Sequence, residues 1–169
     1  MKFYTSYYNS PLGLLQIQCS EEHITSVSFC ETSTSVADDD HPLTNSCIEQ
    51  LQEYFSGKRK EFSLPLQQSG TPFQMKVWNL LSTIAYGKTI SYNDFSKMYG
   101  DTKAIRAVAS ANGKNQIAII VPCHRVIGSN HSLVGYAGGL WRKKYLLELE
   151  AKYFHGVQQL DFAASSSLM

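Results

Sequence analysis

The sequence predicts an α+β chain whose N-terminal region is rich in strands and whose C-terminal region is mainly helical. Three observations lead there. Strand-like runs are confined to the first thirty residues, capped segments of helical period begin at residue 71, and residues 65–70 between them carry no core pattern of their own. With 169 residues and 43% apolar side chains the chain can bury a real core, as one ordinary domain or two small ones. The expected division is residues 1–70, residues 71–155 and a tail of 156–169, rich in Ala and Ser, without fixed structure.

Residues 3–8 are rich in aromatic side chains, Ser10-Pro11-Leu12-Gly13 is turn chemistry, and residues 14–18 resume an apolar-polar alternation, which predicts two strands. A third strand is expected over 24–29, and residues 31–41 read as a solvated loop. Leu43, Cys47, Leu51, Tyr54 and Phe55 recur at helical spacing before Gly57, so a helix over 43–55 follows. Residues 61–64 are expected to form a last strand.

Thr71-Pro72-Phe73-Gln74 places a hydroxyl cap, a proline at the first helical position and Gln three residues after the cap, a strong helix start. Phe73, Val77, Leu80, Leu81 and Ile84 form its apolar face, beside which Trp78 reads as core. Ser91-Tyr92-Asn93-Asp94 is a second cap, starting a helix that stops at Gly100. A third helix, residues 103–111, ends at Asn112-Gly113, and helix, glycine-bearing turn, helix is the helix-turn-helix signature. Small residues surround Arg106 on several of its faces. Residues 117–121 form an apolar run expected to be a buried strand stopped by Pro122, immediately before Cys123. A glycine-rich loop, Gly135-Tyr136-Ala137-Gly138-Gly139, leads into a last helix carrying Leu140, Leu146, Leu147, Leu149 and Glu150.

Fifteen Lys and Arg against fourteen Asp and Glu give +1 overall, but residues 1–70 carry −5 and residues 71–169 carry +6. Such a split hints at nucleic-acid contact by the basic part. The N-terminus lacks the apolar stretch of a secretion signal and no run is long enough to span a bilayer, so an intracellular, membrane-free protein is expected, with Cys19, Cys30, Cys47 and Cys123 as thiols. Cys123 needs a base, cation or dipole to become a thiolate. His124 and Arg125 are candidates for that environment, and Glu150 could orient the imidazole.

Taken in order, Thr71-Pro72-Phe73-Gln74, Val77-Trp78, Tyr86-Gly87-Lys88-Thr89, Ser91-Tyr92, Arg106-Ala107-Val108, Asn112, Asn115, Pro122-Cys123-His124-Arg125-Val126, Gly135-Tyr136, Gly138-Gly139 and Leu146-Leu147 resemble the O6-alkylguanine-DNA alkyltransferase family, also called methylated-DNA–protein-cysteine methyltransferases. The match covers about residues 71–150 and, more faintly, Ser10-Pro11-Leu12-Gly13 and Tyr54-Phe55. The resemblance implies a small N-terminal ribonuclease-H-like α/β domain before the helical domain. It implies a monomeric DNA-repair protein that takes the alkyl group of O6-alkylguanine in double-stranded DNA irreversibly onto its own cysteine, once per molecule and without a cofactor.

Carried over residue by residue, the resemblance makes Cys123 the acceptor, His124 the base acting through a water and Glu150 the carboxylate behind it. Asn115 would hold the turn and polarise the thiol's surroundings, and Tyr92 would assist nucleotide rotation and protonate the leaving purine. Arg106 would fill the gap left by the extruded base. Ala104 and Ala107 would let the helix approach the minor groove, with Ser91 and Lys103 beside them at the DNA. Val126, Tyr136, Ala137 and Trp78 would line the pocket. Ala137 stands where relatives have serine, leaving only its backbone N–H for O6; Ala85 replaces a usual proline, Phe95 a small residue, and Asn130-His131 a usual Asn-Gly turn.

Rival readings explain less. A Cys-His hydrolase would turn over without DNA, a helix-turn-helix transcription factor would leave the thiol unused, and alkyltransferase-like binders lack the acceptor cysteine. Cys19, His23, Cys30, His41 and Cys47 match no zinc-ligand spacing, so no metal is expected.

Overall fold

The computed structural model describes residues 2–31, 38–130 and 132–155. The chain forms two compact units, Met1–Ser69 with Gln116–Ile120, and Gly70–Asn115 with Val121–Met169. The loop residues 32–37, His131 and the tail 156–169, for which expectations were stated above, lie outside the described residues.

In the first unit, β1 (Tyr4–Ser10), β2 (Gly13–Cys19) and β3 (Ile24–Phe29) form an antiparallel meander in that order. The β1–β2 hairpin pairs Ser10 with Gly13. Its turn is closed by Ser10 Oγ, which donates to the Gly13 carbonyl at 2.6 Å and accepts from Leu12 N at 3.1 Å. Gly13 has φ +108°, a conformation side chains resist. Alternation puts Leu15, Ile17, Cys19 and Val27 on the buried face. Helix α1 (Pro42–Phe55) buries Cys47, Leu51 and Tyr54. It starts one residue earlier than expected because His41 caps it, Nδ1 accepting from Leu43 N at 3.1 Å.

Two expected strands are absent. Around residues 61–64 the backbone groups of Ser63 are taken by one side chain: Gln50 Oε1 accepts from Ser63 N at 2.8 Å and Gln50 Nε2 donates to Ser63 O at 3.0 Å. The sheet contact falls instead at a single bridge, Leu66 to Ile24. Residues 117–121 contribute only the bridge from Ile117 to Val27 before the chain turns, with Ile119 at φ +70°. Ile117, Ile119 and Val121 are all buried, so the apolar run marked burial and not extension. The same turn returns Gln116–Ile120 to the first unit.

The second unit holds α2 (Pro72–Leu81), β4 (Ile90–Ser91), α3 (Tyr92–Tyr99), α4 (Ile105–Gly113), β5 (Val126–Ile127) and α5 (Leu140–His155). Thr71 and Gln74 form the reciprocal cap the sequence predicts. Ser91 caps α3 by accepting from Asp94 N at 3.0 Å, and Gly100 ends it at φ +110°. Asp101 caps a 3₁₀ turn, Thr102–Ala104, so the third predicted helix opens in 3₁₀ form and runs on through Gly113. The β4–β5 pair is parallel and two residues long, too short to leave a periodic signal. It ties the start of the helix-turn-helix to the residues just after Cys123.

Candidate active site

The chain reaches Cys123 from Pro122, and Cys123–Arg125 make one 3₁₀ turn leading into β5. The turn replaces the strand end expected there. All three residues are buried: Cys123 keeps 7% of its surface, His124 none and Arg125 7%.

His124 Nε2 lies 2.7 Å from Glu150 Oε2 on α5. Arg125 Nε donates to Glu150 Oε1 at 2.8 Å and Nη2 to Oε2 at 3.0 Å, a two-pronged pair, while Nη1 donates to the Ile84 carbonyl at 2.6 Å. Arg125, offered above as a cation for the thiol, is therefore committed to the carboxylate. Burial alone would raise the Glu150 pKa, but the charges and hydrogen bonds of His124 and Arg125 outweigh it and hold the carboxyl far below its usual range. Burial pushes the His124 pKa down even against Glu150, so the resting imidazole is neutral. Arg125 is then the permanent partner that keeps Glu150 ionised. With the Nε2 proton given to Glu150, Nδ1 is the basic nitrogen; it is buried and has no hydrogen-bond partner among the described residues.

Burial pushes the Cys123 thiol up, opposed by a hydrogen bond from Asn115 and by the charge of Lys143. Asn115 also donates from Nδ2 to the Val121 carbonyl at 2.8 Å, which holds the turn before the cysteine. Lys143 is fully buried on α5. Its Nζ donates to the carbonyls of Val126 and Val134, both at 2.7 Å, and of Gly135 at 3.2 Å. Burial brings its pKa down to about 8, against the pull of Cys123.

A cavity of about 420 Å³ opens against the loop whose Val134 and Gly135 carbonyls Lys143 holds; Cys123 and His124 are not among its lining residues. Tyr92 from α3, Ala109 and Gly113 from α4, and the loop Val134, Gly135, Tyr136 and Ala137 line it. Its exposed lining is mainly carbon, suited to a largely apolar ligand. Tyr92 Oη accepts from Asn112 Nδ2 at 2.9 Å, and burial pushes the phenol up to about 12. The Tyr136 hydroxyl is buried without a hydrogen-bond partner among the described residues. A neutral imidazole backed by a carboxylate, a neighbouring thiol and a cavity against two helices are the parts of a nucleophilic group transfer.

The profile described as 6-O-methylguanine DNA methyltransferase, DNA binding domain, matches residues 72–152, and that of the ribonuclease-like domain of the same protein matches residues 3–68. The constitutive methylated-DNA–protein-cysteine methyltransferase of Bacillus subtilis is 46% identical over 159 residues, covering 89% of this chain and 96% of the relative. This chain belongs to the 6-O-methylguanine DNA methyltransferase family. A methylated-DNA–protein-cysteine methyltransferase from Methanosarcina acetivorans is 43% identical over 152 residues, 87% of this chain and 97% of that one. The crystal structure of Mycobacterium tuberculosis O6-methylguanine methyltransferase superposes with a TM-score of 0.80 at 40% identity, over 90% of this chain and 94% of that one. The same organism's OGT in complex with DNA gives 0.82 at 41%, over 89% and 94%.

In this methyltransferase the residues expected at the site fall into three places. Cys123, His124, Glu150 and Asn115 come together as described, with Tyr92 joined to the Cys123 carbonyl through Asn112. Lys103, Arg106 and Ala107 are exposed on the second half of the helix-turn-helix and Ala104 is half-buried there, whereas the Ser91 hydroxyl is occupied as the α3 cap. Of the expected pocket residues, Tyr136 and Ala137 line the cavity but Val126 and Trp78 do not. Val126 is fully buried with its carbonyl held by Lys143. Trp78 is core, 3% exposed, its indole N–H donating to the Ala111 carbonyl at 2.9 Å.

The sequence reading missed Lys143 and a role for Asn112. Lys143 did leave a signal: Lys143, Leu146, Leu147 and Glu150 stand at helical spacings of three, four and seven, which places a lysine on the buried face of α5. Glycine is required at Gly87, with φ +77°, where a Cβ would meet the Phe154 ring at 2.5 Å and where the N–H reaches Glu150 Oε1 at 3.3 Å. Among the described residues no group of three or more Cys, His, Asp or Glu side chains is placed to hold a metal, and no helix is long and apolar enough to cross a membrane.

Proposed function

We propose that Cys123 is the acceptor through which this chain repairs O6-alkylguanine in double-stranded DNA, each molecule acting once. The observation that carries this reading is the buried His124–Glu150 pair next to Cys123, beside a cavity walled by the helix-turn-helix. Neutral His124 takes the thiol proton at Nδ1, through a water, and the resulting imidazolium is stabilised by Glu150. The thiolate forms an S–C bond to the alkyl carbon as the C–O6 bond breaks in line. The electron pair of that bond passes to the purine, which takes a proton from Tyr92. The proton on His124 restores Tyr92 through solvent, so one thiol proton ends on guanine and no cofactor enters.

The alkyl carbon is inaccessible within a stacked duplex, so the nucleotide must be turned into the cavity. Arg106, exposed on α4, is suited to occupy the vacated stack, and Ala104 and Ala107 keep that face small enough to approach the groove. Lys103 and the other cations of the basic half supply phosphate contacts, making affinity salt-dependent. The proposed substrate and a thiol nucleophile suit a reducing compartment that contains DNA. Ala137 has no hydroxyl, which leaves its backbone N–H as the donor at this position to O6.

The test is intact-mass measurement after mixing with a duplex containing a single O6-methylguanine, followed by peptide mapping. One methyl per protein on Cys123, absent in Cys123→Ala that still binds the lesion, is expected. A modified Cys123→Ala protein, or a methyl on another residue, would remove Cys123 from this role.

A further inference from the structure

Asn112 ends the buried face of α4, with 2% of its surface exposed. Its Nδ2 donates to Tyr92 Oη at 2.9 Å and to the Cys123 carbonyl at 3.4 Å, and its Oδ1 is buried with no hydrogen-bond partner among the described residues. One carboxamide therefore reaches both the backbone of the thiol-bearing residue and the phenol that lines the cavity.

The chemistry of these three groups fixes a direction. A carbonyl oxygen only accepts, so the end of the carboxamide facing Cys123 O must be its N–H end. Turning the amide over would set Oδ1 against the Cys123 carbonyl, acceptor against acceptor. It would also let Oδ1 accept the Tyr92 proton. In the observed arrangement the same NH₂ group faces Tyr92 Oη, so the phenol oxygen is an acceptor there and its single proton is left for another partner. Tyr92 is itself a wall of the cavity.

We propose that Asn112 is a positioning residue for the alkyl transfer: locked in one orientation by the Cys123 carbonyl, it holds Tyr92 as a hydrogen-bond acceptor and so directs the phenol proton to the departing purine. This rests on the reading of Tyr92 as the proton donor. The hydrogen bond from Asn112 also opposes the burial that raises the phenol pKa, which makes Tyr92 a better acid than its surroundings alone would. The site thereby couples its two ends: the backbone that carries the nucleophile also sets the polarity of the group that assists the leaving base.

The test uses Asn112→Asp, which keeps the shape but replaces the donor by an acceptor, with Tyr92→Phe and the double variant. Single-turnover rates are measured on free O6-benzylpurines whose leaving groups span a range of acidity, with melting curves to confirm folding. In the unsubstituted protein the rate should depend weakly on leaving-group acidity. Asn112→Asp and Tyr92→Phe should each slow the poorest leaving group by about 10²-fold and the best by far less, the range expected for loss of a general acid. The double variant should be no slower than Tyr92→Phe alone. If Asn112→Asp slows every substrate equally, or adds its full loss to that of Tyr92→Phe, Asn112 acts elsewhere and the proposal is overturned. If Tyr92→Phe leaves the leaving-group dependence unchanged, the donor reading itself fails and takes this assignment with it. Should Asn112→Asp not fold, Asn112→Ala, which removes the donor without adding a charge, is read in the same way.

Discussion

Replacing Glu150 by Gln tests whether the buried Arg125–Glu150–His124 cluster is one electrostatic unit. The Glu150 carboxylate accepts at both oxygens: Oε1 from Arg125 Nε and Gly87 N, Oε2 from Arg125 Nη2 and His124 Nε2. A glutamine amide turns one of these oxygens into a donor, which then meets N–H groups whichever way it is oriented. Arg125, 7% exposed, also loses the carboxylate it is paired with. Breaking a buried pair in this way costs about 3–5 kcal/mol. At about 2–4 °C per kcal/mol for a chain of this size, the melting temperature should fall by about 6–20 °C. Transfer should slow by about 10²-fold or more, because the imidazolium formed at His124 loses its counter-charge. Glu150→Leu combined with Arg125→Met separates the two effects. It removes both charges but leaves the Ile84 carbonyl, the His124 Nε2–H and the Gly87 N–H without their partners, at about 1 kcal/mol or more each, and should recover only part of the stability and none of the rate. Calorimetry and single-turnover transfer read the two quantities. A Glu150→Gln protein melting within about 2 °C of the original would refute the reasoning.

Lys143→Met should leave three carbonyls without their donor and the thiolate without the positive charge that favours it. Alkylation of Cys123 by iodoacetamide at neutral pH should slow by about tenfold, and amide exchange over residues 126–137 should accelerate; an unchanged alkylation rate would show that Lys143 does not act on the thiol. Arg106→Ala should slow repair of a duplex far more than reaction with a free alkylated base, since only the duplex requires base flipping, and equal losses would exclude Arg106 from that step. The folded pKa of Glu150, about 2, lies below its value of 4.5 in the unfolded chain. Its stabilising contribution is therefore complete above pH 4.5 and is lost as pH falls toward 2. Urea melts at pH 6 and pH 3 should show a larger loss for the original protein than for Glu150→Leu with Arg125→Met, by about 2 kcal/mol.

What could be read from the sequence was what local chemistry decides. The Thr71 and Ser91 caps, the Gly100 stop and the Ser10–Gly13 turn each depend on side chains within three residues of the backbone groups they satisfy, and each appears in the structure. The strand assigned to residues 61–64 failed because its competitor, Gln50, lies thirteen residues away in a helix. The run before Pro122 failed for a related reason: periodicity reports which side chains are buried and is silent on whether the backbone is extended or turning. At the site, the residues alone could offer Glu150 only as a candidate to orient His124, since 26 residues separate them, and the fold sets the two 2.7 Å apart. Trp78 was assigned to two places, core and pocket, and its hydrogen bond to Ala111 places it in the core. Lys143 was passed over because a lysine is assumed to face water. Its position on the apolar face of α5 was readable, but the three carbonyls that make its burial tolerable come from a loop and a strand that no pattern on α5 reveals.

The electrostatics of Cys123 suit a protein that is consumed by its own reaction. Burial holds the thiol protonated at rest, and an inert thiol is less exposed to stray electrophiles and oxidants that would spend the molecule without repair. The groups that favour the thiolate, Lys143 and Asn115, are fixed by carbonyls and do not need to move. His124, the base in the proposed reaction, is neutral and already aligned by Glu150. That reaction further needs an electrophilic carbon held in line with the sulfur and, on the proposed role of Tyr92, an acceptor for the phenol proton. A flipped alkylguanine brings both into the cavity at once. Discrimination between lesion and solvent electrophile then comes from requiring two coincident events, attack at carbon and protonation of the leaving base, at opposite ends of one substrate. It follows that a small electrophile, which offers no base to protonate, should react with Cys123 at a rate indifferent to Tyr92→Phe, while O6-alkylguanine should not.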